Sequence, residues 1–345
     1  MAAGRAVERI VIGFFKVNVL SLAIYSVQAA ALQALSSNLP IDRRIFEGAL
    51  VAGSYPLYLY CNFSGYIDLV IGIARFLRIE LPENFDRPFS SVNFMVFWSR
   101  WHITLSEWLK TYVYNPLLIA LMRRYQSSSI VPYLGVFAIF VTFFLVGVWH
   151  GQTSEFLFFG VLQGAGVAAV QLYQVLLTQK LDKQRYKEFS NHPATMAFSR
   201  GFTFTYFAAT LLWFWSNWTQ LGWLVHRLGL LAVAGCFALI FVAATGLLWA
   251  WESARAYLLS IHVRREPLFL SRYLRTAYLT AIWVIALVTV LILNAPAPDI
   301  VYKGFWLRPR LSRSSVAELE AFPIFHRILV CLVHELVYCD TASGS

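Results

Sequence analysis

The sequence predicts an all-α membrane protein, a polytopic bundle of transmembrane helices, because it is apolar, poor in charge and built from long hydrophobic stretches. Of its 345 residues, 59% are hydrophobic and 13% are charged, whereas a typical globular domain has about 25% charged residues. Aromatic residues make up 17%, as expected where tryptophan and tyrosine lie at membrane interfaces. An ordinary soluble domain is therefore excluded.

The individual spans follow from hydrophobic length, since a helix needs about 20 apolar residues to cross the hydrocarbon core. The segments that reach or approach this length are about 10–35, about 46–77, 131–148, 156–177, 198–215, 228–251 and 276–293. The second is interrupted at Ser64-Gly65, where we expect a break or a re-entrant turn. In the fourth, Gly160, Gly164 and Gly166 favour close helix packing over a nucleotide loop.

The net charge of +10 does not indicate a nucleic-acid partner, because the Lys and Arg residues cluster between apolar segments. They are concentrated in loops 178–197 and 252–275, while 149–155 and 294–302 contain almost none. Such alternation predicts cytoplasmic basic loops facing an anionic lipid surface, with His150 toward the outer end of its helix. The four cysteines are scattered, and no metal site is predicted.

The stretch 80–116 has the pattern of an unusual amphipathic helix. Pro82 and Pro88 predict an extended entry, Ser90 or Ser91 a helix N-cap, and Pro116 the end of the helix. One predicted face is an aromatic stripe of Trp98, Trp101, Leu105, Trp108 and Tyr112, and another carries Ser99, His102 and Ser106. The spacing is compatible both with an interfacial helix with packed tryptophans and with a helix that lines a polar cavity.

His150 is the most informative single residue, because it ends the apolar run FVTFFLVGVWHG. An ionisable group at membrane depth is a candidate functional group, and a neutral imidazole can accept a proton from a hydroxyl. Gly147 and Gly151 leave room for a backbone or a substrate beside it. A helix-end histidine that only hydrogen-bonds a neighbour remains an equal alternative. For Asp68, also in an apolar setting, we expect a structural ion pair with Arg75 or Arg100.

These residues together resemble the membrane-bound O-acyltransferase family. The motifs that carry the resemblance are ENF-x-RP, FW-x-RWHI-x-LS-x-W and WHG in that order, within a likeness covering residues 5–307 that is densest over 58–151. The sequence is most similar to a bacterial branch that includes the alginate O-acetylation membrane protein and the D-alanyl transfer protein of teichoic acids. The resemblance implies a funnel-shaped bundle, with a re-entrant or interfacial helix, in a bacterial inner membrane.

The resemblance also implies roles for residues. His150, in WHG, matches the catalytic histidine, and His102, in RWH, matches a second functional histidine that would orient a substrate or stabilise the oxyanion. The residues expected to contact substrate are Trp149, Arg100, Asn84, Trp101 and Tyr66. No cofactor is expected to be tightly bound. The expected acyl donor is acetyl-CoA or a carrier-protein phosphopantetheine thioester, and the expected acceptor is a polysaccharide hydroxyl, reached directly or through a periplasmic acyltransferase partner.

Two departures and two other functions accompany this interpretation. Asn62 stands where the family usually has an acid before FSGY, and several further spans usually precede the segment equivalent to 10–35. We expect residues 1–307 to form the transmembrane domain and 308–345 a tail with an amphipathic helix at about 315–336. The alternatives to an enzyme are a non-catalytic subunit of a polysaccharide export or acylation complex and a proton-coupled transporter.

Overall fold

The computed structural model describes residues 2–127, 129–180, 183–263, 266–267 and 272–293. These residues are mostly helical, which confirms the all-α class. In chain order the elements are α1 (Ala2–Phe15), a π-helical turn (Lys16–Leu20), α2 (Ser21–Leu35), α3 (Ile41–Phe76), a 3₁₀ turn (Pro88–Ser90), α4 (Phe94–Trp98), α5 (Ile103–Leu109), a second π-helical turn (Lys110–Tyr114), α6 (Asn115–Arg124), α7 (Val131–His150), α8 (Ser154–Lys180), α9 (Lys183–Asn191), α10 (Pro193–Trp215), α11 (Trp218–Leu228), α12 (Leu230–Ser260), β1 (His262–Val263), β2 (Glu266–Pro267) and α13 (Arg272–Leu293).

The described chain forms two compact units. The first contains residues 2–104 and the described part of 183–293, and the second contains 105–180. The predicted C-terminal helix at 315–336 lies outside the described residues.

In the first unit, α1 and α3 pack closely at glycines. A Cβ atom added at Gly13 would lie 2.6 Å from the carbonyl oxygen of Gly65, and one at Gly72 would lie 2.6 Å from Cγ1 of Ile10. Small residues at these positions let the two helix backbones approach. The expected break at Ser64-Gly65 is wrong, because α3 runs uninterrupted and Gly65 serves this helix contact instead.

The apolar core of the first unit joins α2, α3, α10, α11 and α12. It is centred on buried aliphatic side chains and Phe204, namely Ala31, Leu35, Ala49, Val51, Ala52, Phe204, Ala208, Leu212, Leu221, Leu224, Leu228, Ala232, Cys236, Ile240 and Ala244. The capping box at Asn217 and Gln220 begins α11, which the preceding residue Ser216 separates from α10. This core supports the long helices against which the 80–104 segment lies.

The second unit is organised by the antiparallel pair α7 and α8. A Cβ at Gly147 would lie 2.3 Å from Cα of Gly160, and one at Gly164 would lie 2.6 Å from the carbonyl oxygen of Phe140. The predicted packing role of Gly160 and Gly164 is therefore confirmed. The hairpin ends where α7 stops at His150, four residues before α8 begins at Ser154.

Among the residues that the structure describes, five helical segments are long and apolar enough to cross a membrane, by length and composition. They are Gly4–Leu35, Ile41–Phe76, Val131–His150, Ser154–Leu177 and Leu230–Ser260, and Thr276–Val290 is a shorter apolar helix. The predicted span 198–215 is helical within α10 but is not among these five. Its Thr, Tyr and Trp residues and Arg200 lower its mean hydropathy.

The single helix predicted from Ser90 or Ser91 to Pro116 is wrong. Asn93 is the N-cap, with its side-chain oxygen accepting a hydrogen bond from the backbone N–H of Val96 at 2.8 Å, and α4 ends at Trp98. The helix after the break continues past Pro116 to Arg124, because the π-helical turn Lys110–Tyr114 widens the backbone just before the proline ring.

The predicted aromatic stripe is consequently divided. Trp98 and Trp101 are 4% and 5% exposed, whereas Trp108 and Tyr112 are 50% and 62% exposed. A continuous helix would have placed these side chains on one face. The break at residues 99–102 separates a buried aromatic pair from an exposed one.

Candidate active site

The segment that contains His102 is held by a short antiparallel backbone pairing. Phe85 pairs with Trp101, the N–H of Asp86 donates to the carbonyl oxygen of Arg100 at 3.0 Å, and the N–H of Ile103 donates to the carbonyl oxygen of Asn84 at 3.0 Å. This pairing brings Asn84, Trp101 and His102 together. Helical periodicity could not have predicted it, because the pairing is not helical.

The backbone at His102 has φ = 48°, in the left-handed region. A non-glycine residue is uncommon there and costs free energy, so the surrounding contacts must stabilise it. This conformation ends the turn after α4 and lets α5 begin at Ile103 in a new direction. The strain is thus located at one of the two histidines singled out from the sequence.

The side-chain oxygen of Asn84 provides the contacts that hold this turn. Oδ1 accepts hydrogen bonds from the backbone N–H of Thr104 at 3.1 Å and from the Thr104 hydroxyl at 2.9 Å. The same oxygen lies 3.2 Å from Nδ1 of His102. Asn84 is buried, at 6% exposure.

The His102 imidazole packs against Phe63, which belongs to a cluster of aromatic rings. Its centroid lies 5.0 Å from that of Phe63 in an edge-on arrangement, and Phe85 lies 5.0 Å from Phe63 and 5.1 Å from Trp101. Burial lowers the pKa of His102 to about 4, because the apolar surroundings disfavour the charged ring. His102, which lies outside the five candidate spans, is therefore neutral at pH 7.

The other two substrate-contact candidates of this unit are Arg100 and Tyr66, whose side chains make fewer contacts within the protein. Arg100 and Tyr66 are both partly buried, and the carbonyl oxygen of Arg100 takes part in the backbone pairing. Among the described residues, neither side chain forms an ion pair or a ring contact. The role of both residues in substrate contact stays a prediction.

Asp68 is paired differently from the sequence expectation. Its two oxygens bind Nε of Arg9 at 2.9 Å and Nζ of Lys16 at 2.7 Å, and neither Arg75 nor Arg100 pairs with it. Arg9 also forms a charge pair with Glu83, whose pKa it lowers, while Arg75 lies 3.8 Å from Glu83. The expectation failed because Arg9 and Lys16 are distant in sequence and reach Asp68 only through the packing of α1 on α3.

His150, in the second unit, is the last residue of α7 and is partly buried. Its ring centroid lies 4.8 Å from Trp149, 5.9 Å from Phe159 and 6.3 Å from Phe156. Gly151 follows in an extended conformation, and a Cβ there would lie 2.4 Å from the ring of Phe156. The expected close approach at Gly147 and Gly151 is therefore confirmed, although protein atoms fill both places.

An apolar cavity of about 60 Å³ lies in the second unit next to the end of α7. It is lined by Leu105, Trp108, Leu109, Val113, Leu145, Val146 and Trp149. Val146 precedes His150 by four residues, one helical turn, so the two side chains lie on the same face of α7. Sequence reasoning missed this cavity, because the motifs that contain Leu105, Trp108 and Trp149 do not show that these side chains meet in space.

The described residues contain no cluster of three His, Cys, Asp or Glu side chains that could hold a metal ion. The two histidines can themselves provide hydrogen bonding, proton transfer and apolar contact. Each is placed by a different kind of structure, a backbone pairing for His102 and a helix end for His150.

Comparison with known proteins identifies relatives of this chain. Residues 4–211, which include both histidines, match the family described as MBOAT, membrane-bound O-acyltransferase family. The chain is 40% identical over 121 residues to a peptidoglycan O-acetyltransferase of Helicobacter pylori, covering 35% of this chain and 21% of that protein.

Two further relatives act on other polymers by name. A teichoic acid D-alanyltransferase of Bacillus subtilis is 31% identical over 157 residues, 45% of this chain and 38% of that protein. A probable alginate O-acetylase of Pseudomonas aeruginosa is 35% identical over 119 residues, 34% of this chain and 21% of that protein. The chain thus spans between a fifth and two fifths of the length of these curated relatives.

Proposed function

Because the chain belongs to the membrane-bound O-acyltransferase family, we propose that it is a membrane-embedded O-acyltransferase. It transfers an acetyl group from a cytoplasmic thioester, acetyl-CoA or the phosphopantetheine of a carrier protein, to a hydroxyl of an exported or cell-wall polysaccharide. His150 is the general base. The observation that carries this proposal is a partly buried imidazole at the end of an apolar 20-residue helix, inside the matched range.

The chemical step needs only one group that accepts and returns a proton. The acceptor O–H gives its proton to the unprotonated ring nitrogen of His150, and its oxygen attacks the thioester carbonyl carbon. The carbon–sulfur bond of the tetrahedral intermediate then breaks, and the departing thiolate takes the proton from His150. An ester and a free thiol are formed, and no covalent enzyme intermediate is required.

The residues around His102 would serve a substrate rather than the proton transfer at His150. A neutral, partly buried imidazole that packs against Phe63 can orient a polar group of the donor or the acceptor. Arg100, whose guanidinium group has only donors, would help to orient the same substrate. Trp101 and Tyr66 would provide apolar contacts for a substrate near His102, and Trp149 would do so near His150.

The size of the cavity beside α7 supports a small acyl group. An engineered apolar cavity of about 150 Å³ accommodates benzene, and one water takes up about 30 Å³ of liquid. A cavity of about 60 Å³ therefore has room for a group of two or three carbon atoms. Its apolar lining favours acetyl over D-alanyl, because the ammonium group of D-alanine would be buried without a partner.

The acceptor class comes from the relatives, whose names describe acyl transfer to peptidoglycan, teichoic acid and alginate. All three are polymers of the cell envelope or the exterior. We therefore place the protein in a bacterial inner membrane, with a donor from the cytoplasm. The acceptor is reached directly or through a periplasmic acyltransferase partner.

The test is acyl transfer by the protein in proteoliposomes, with labelled acetyl-CoA or acetyl-carrier protein inside and a polysaccharide acceptor outside. His150→Ala should lower transfer by about 10²- to 10⁴-fold, the usual contribution of general base catalysis. His226→Ala is the matched control, because His226 is exposed on α11, and it should leave transfer unchanged.

Other outcomes separate the remaining functions. Equal transfer by the wild type and His150→Ala would overturn the role of His150. Proton-coupled flux without an acyl donor would instead indicate a transporter. Transfer that requires a partner and survives the loss of His150 would indicate a non-catalytic subunit.

A further inference from the structure

Arg9, on α1, connects the long helices of the first unit to the segment that contains His102. Its guanidinium group binds Asp68 of α3 and also Glu83, in the loop after α3. We propose that Arg9 and Glu83 are positioning residues, whose ion pair holds the 84–104 segment against α3 and so fixes the place of His102. The consequence for acyl transfer rests on the proposed function, whereas the position of the segment does not.

The guanidinium group of Arg9 is itself held in place by α3. Its Nε donates to one carboxylate oxygen of Asp68 at 2.9 Å, and Nζ of Lys16 donates to the other oxygen at 2.7 Å. All three side chains are largely buried. The close packing of α1 and α3 at Gly13 and Gly65 keeps both ends of this ion pair together, so Arg9 is ordered independently of Glu83.

The two other nitrogens of the Arg9 guanidinium form a fork with Glu83. Nη1 and Nη2 donate to Oε1 and Oε2, so both carboxylate oxygens are bound. Glu83 is half exposed, and an exposed ion pair usually contributes little, since two flexible side chains must be ordered for it. This pair is bidentate and its arginine is already ordered by Asp68, so less free energy is lost to ordering. Hydrogen bonds from Arg9 also lower the pKa of Glu83, which keeps its carboxylate charged at pH 7.

The next residue, Asn84, links Glu83 to the turn at His102. Its carbonyl oxygen accepts a hydrogen bond from the N–H of Ile103 at 3.0 Å, and its side-chain oxygen accepts one from the N–H of Thr104 at 3.1 Å. Nδ1 of His102 lies 3.2 Å from the same side-chain oxygen. A displacement of Glu83 therefore moves the acceptor atoms that hold this turn.

The loop after α3 has no regular structure that would keep Glu83 in place. Residues 79–84 are neither helical nor in a strand, and Arg78 has φ = 59°, in the left-handed region. Such a loop loses conformational entropy when it is ordered, so contacts from outside the loop must hold it. Arg9 provides such a contact at Glu83, and Arg75 of α3 lies 3.8 Å from the same carboxylate as a weaker partner.

The contacts of Arg9 divide between helix packing and loop position. Asp68 joins α3 to Arg9 and Lys16 of α1, whereas Glu83 joins only the loop to α1. Loss of the Glu83 charge should therefore loosen the segment that contains His102 and leave the α1–α3 pair intact. Loss of the Asp68 charge should instead destabilise both, because it leaves the charge of Lys16 without its carboxylate.

The test is hydrogen–deuterium exchange of the full chain in nanodiscs, followed at the backbone N–H groups of Ile103 and Thr104. Glu83→Gln keeps the size of the side chain and removes its charge, so exchange at these two groups should become about tenfold faster. Exchange within α1 and α3 should stay as in the wild type. Glu80→Gln is the matched control, because Glu80 is exposed in the same loop, and it should leave exchange at both groups unchanged.

A double-mutant cycle tests whether Arg9 acts through Glu83. Arg9→Met should accelerate exchange at the same two N–H groups, and adding Glu83→Gln to it should cause no further increase. Glu83→Asp, which keeps a carboxylate on a shorter side chain, should recover part of the protection. Additive effects of the two substitutions, or unchanged exchange at Ile103 and Thr104 in folded Glu83→Gln, would overturn the proposal. So would an equal acceleration throughout α1 and α3, because the ion pair would then stabilise the whole unit.

The effect on acyl transfer is measured separately. Glu83→Gln should lower kcat/KM by about tenfold at a nearly unchanged Tm, because a displaced His102 orients the substrate less well, and Glu83→Asp should recover part of the loss. Glu80→Gln should transfer at the wild-type rate. Since the exchange experiment needs no turnover, absence of transfer in every variant would count against the proposed function and not against the anchoring of His102. Faster exchange with an unchanged kcat/KM would refute the role of this anchor in transfer.

Discussion

The two histidines are held in place by opposite means. His102 lies in an irregular segment, fixed by the contact of its Nδ1 with the side-chain oxygen of Asn84 and by a left-handed backbone. His150 ends a regular helix, and its position depends on how closely α7 and α8 pack through Gly147 and Gly160. Polar contacts in an apolar surrounding fix the position of His102, whereas steric fit between α7 and α8 fixes the position of His150.

Because of this difference, we expect different perturbations to destabilise the two regions. A packing defect between α7 and α8 moves the end of α7 and with it His150. Protonation of His102 should destabilise the segment around it, because its apolar surroundings disfavour the charged ring. Stability measurements can therefore distinguish the regions without any assay of activity.

The largest effect is expected from Gly147→Ala. The added Cβ would lie 2.3 Å from Cα of Gly160, a backbone atom that can yield only if the helices separate. Overpacking of this kind typically costs 1–3 kcal/mol, and we expect about 3 kcal/mol here. Thermal unfolding of the purified protein in detergent should show a clearly lower Tm.

Gly246→Ala is the matched control for that experiment. Gly246 lies inside α12 with open space around its Cβ position, so alanine should raise stability by about 0.5–1 kcal/mol through helix propensity. Equal Tm values for the two variants would show that the α7–α8 contact is not tight.

A smaller effect, confined to acid pH, is expected at His102. Its pKa is about 4 in the folded protein, against 6.5 as the reference value. Between these values the unfolded chain binds a proton that the folded one does not, so stability falls as the pH falls. The loss should be about 2 kcal/mol at pH 5 relative to pH 7.5.

His102→Gln isolates this contribution, because glutamine does not titrate. The difference in Tm between the wild type and His102→Gln should change by several degrees between pH 7.5 and pH 5, in the direction that penalises the wild type at acid pH. A difference that stays constant would mean that the His102 pKa is not depressed.

Sequence reasoning predicted regular helices well and the irregular segment poorly. The lengths of the hydrophobic stretches predicted α3, α7, α8 and α12, because a long apolar stretch directly indicates a membrane-spanning helix. It could not foresee that α3 continues through Ser64-Gly65, since the reason is a neighbouring helix 50 residues away in sequence. It also assigned one helix to 90–116, where the backbone instead pairs Phe85 with Trp101.

For the candidate site, the motifs identified the residues but not their relations. Asn84 was expected near His102, and the two do lie together, but the contacts of Asn84 with Thr104 had no signal in the sequence. Arg9 and Lys16 likewise carried no motif, although they are the partners of Asp68. Long-range polar contacts of this kind depend on packing, which residue spacing does not encode.

The smallest effect is expected from a change in the cavity next to the end of α7. This change tests whether steric fit in the cavity also selects the acyl group. Leu145 lines the cavity on α7, so Leu145→Ala should enlarge it and admit a longer chain. Adding one methylene group to a hydrophobic pocket changes discrimination by about 10-fold or more. We therefore expect the ratio of kcat/KM for acetyl-CoA to that for propionyl-CoA to fall by about 10-fold.

Leu157→Ala provides the control for cavity size, because Leu157 is exposed on α8 in the same unit and does not line the cavity. Its acyl preference should equal that of the wild type. A fall in rate for both acyl donors, with an unchanged ratio, would mean that Leu145 supports α7 but does not contact the acyl group. The cavity would then contribute to packing beside His150, and the choice of acyl group would have to be made by other residues.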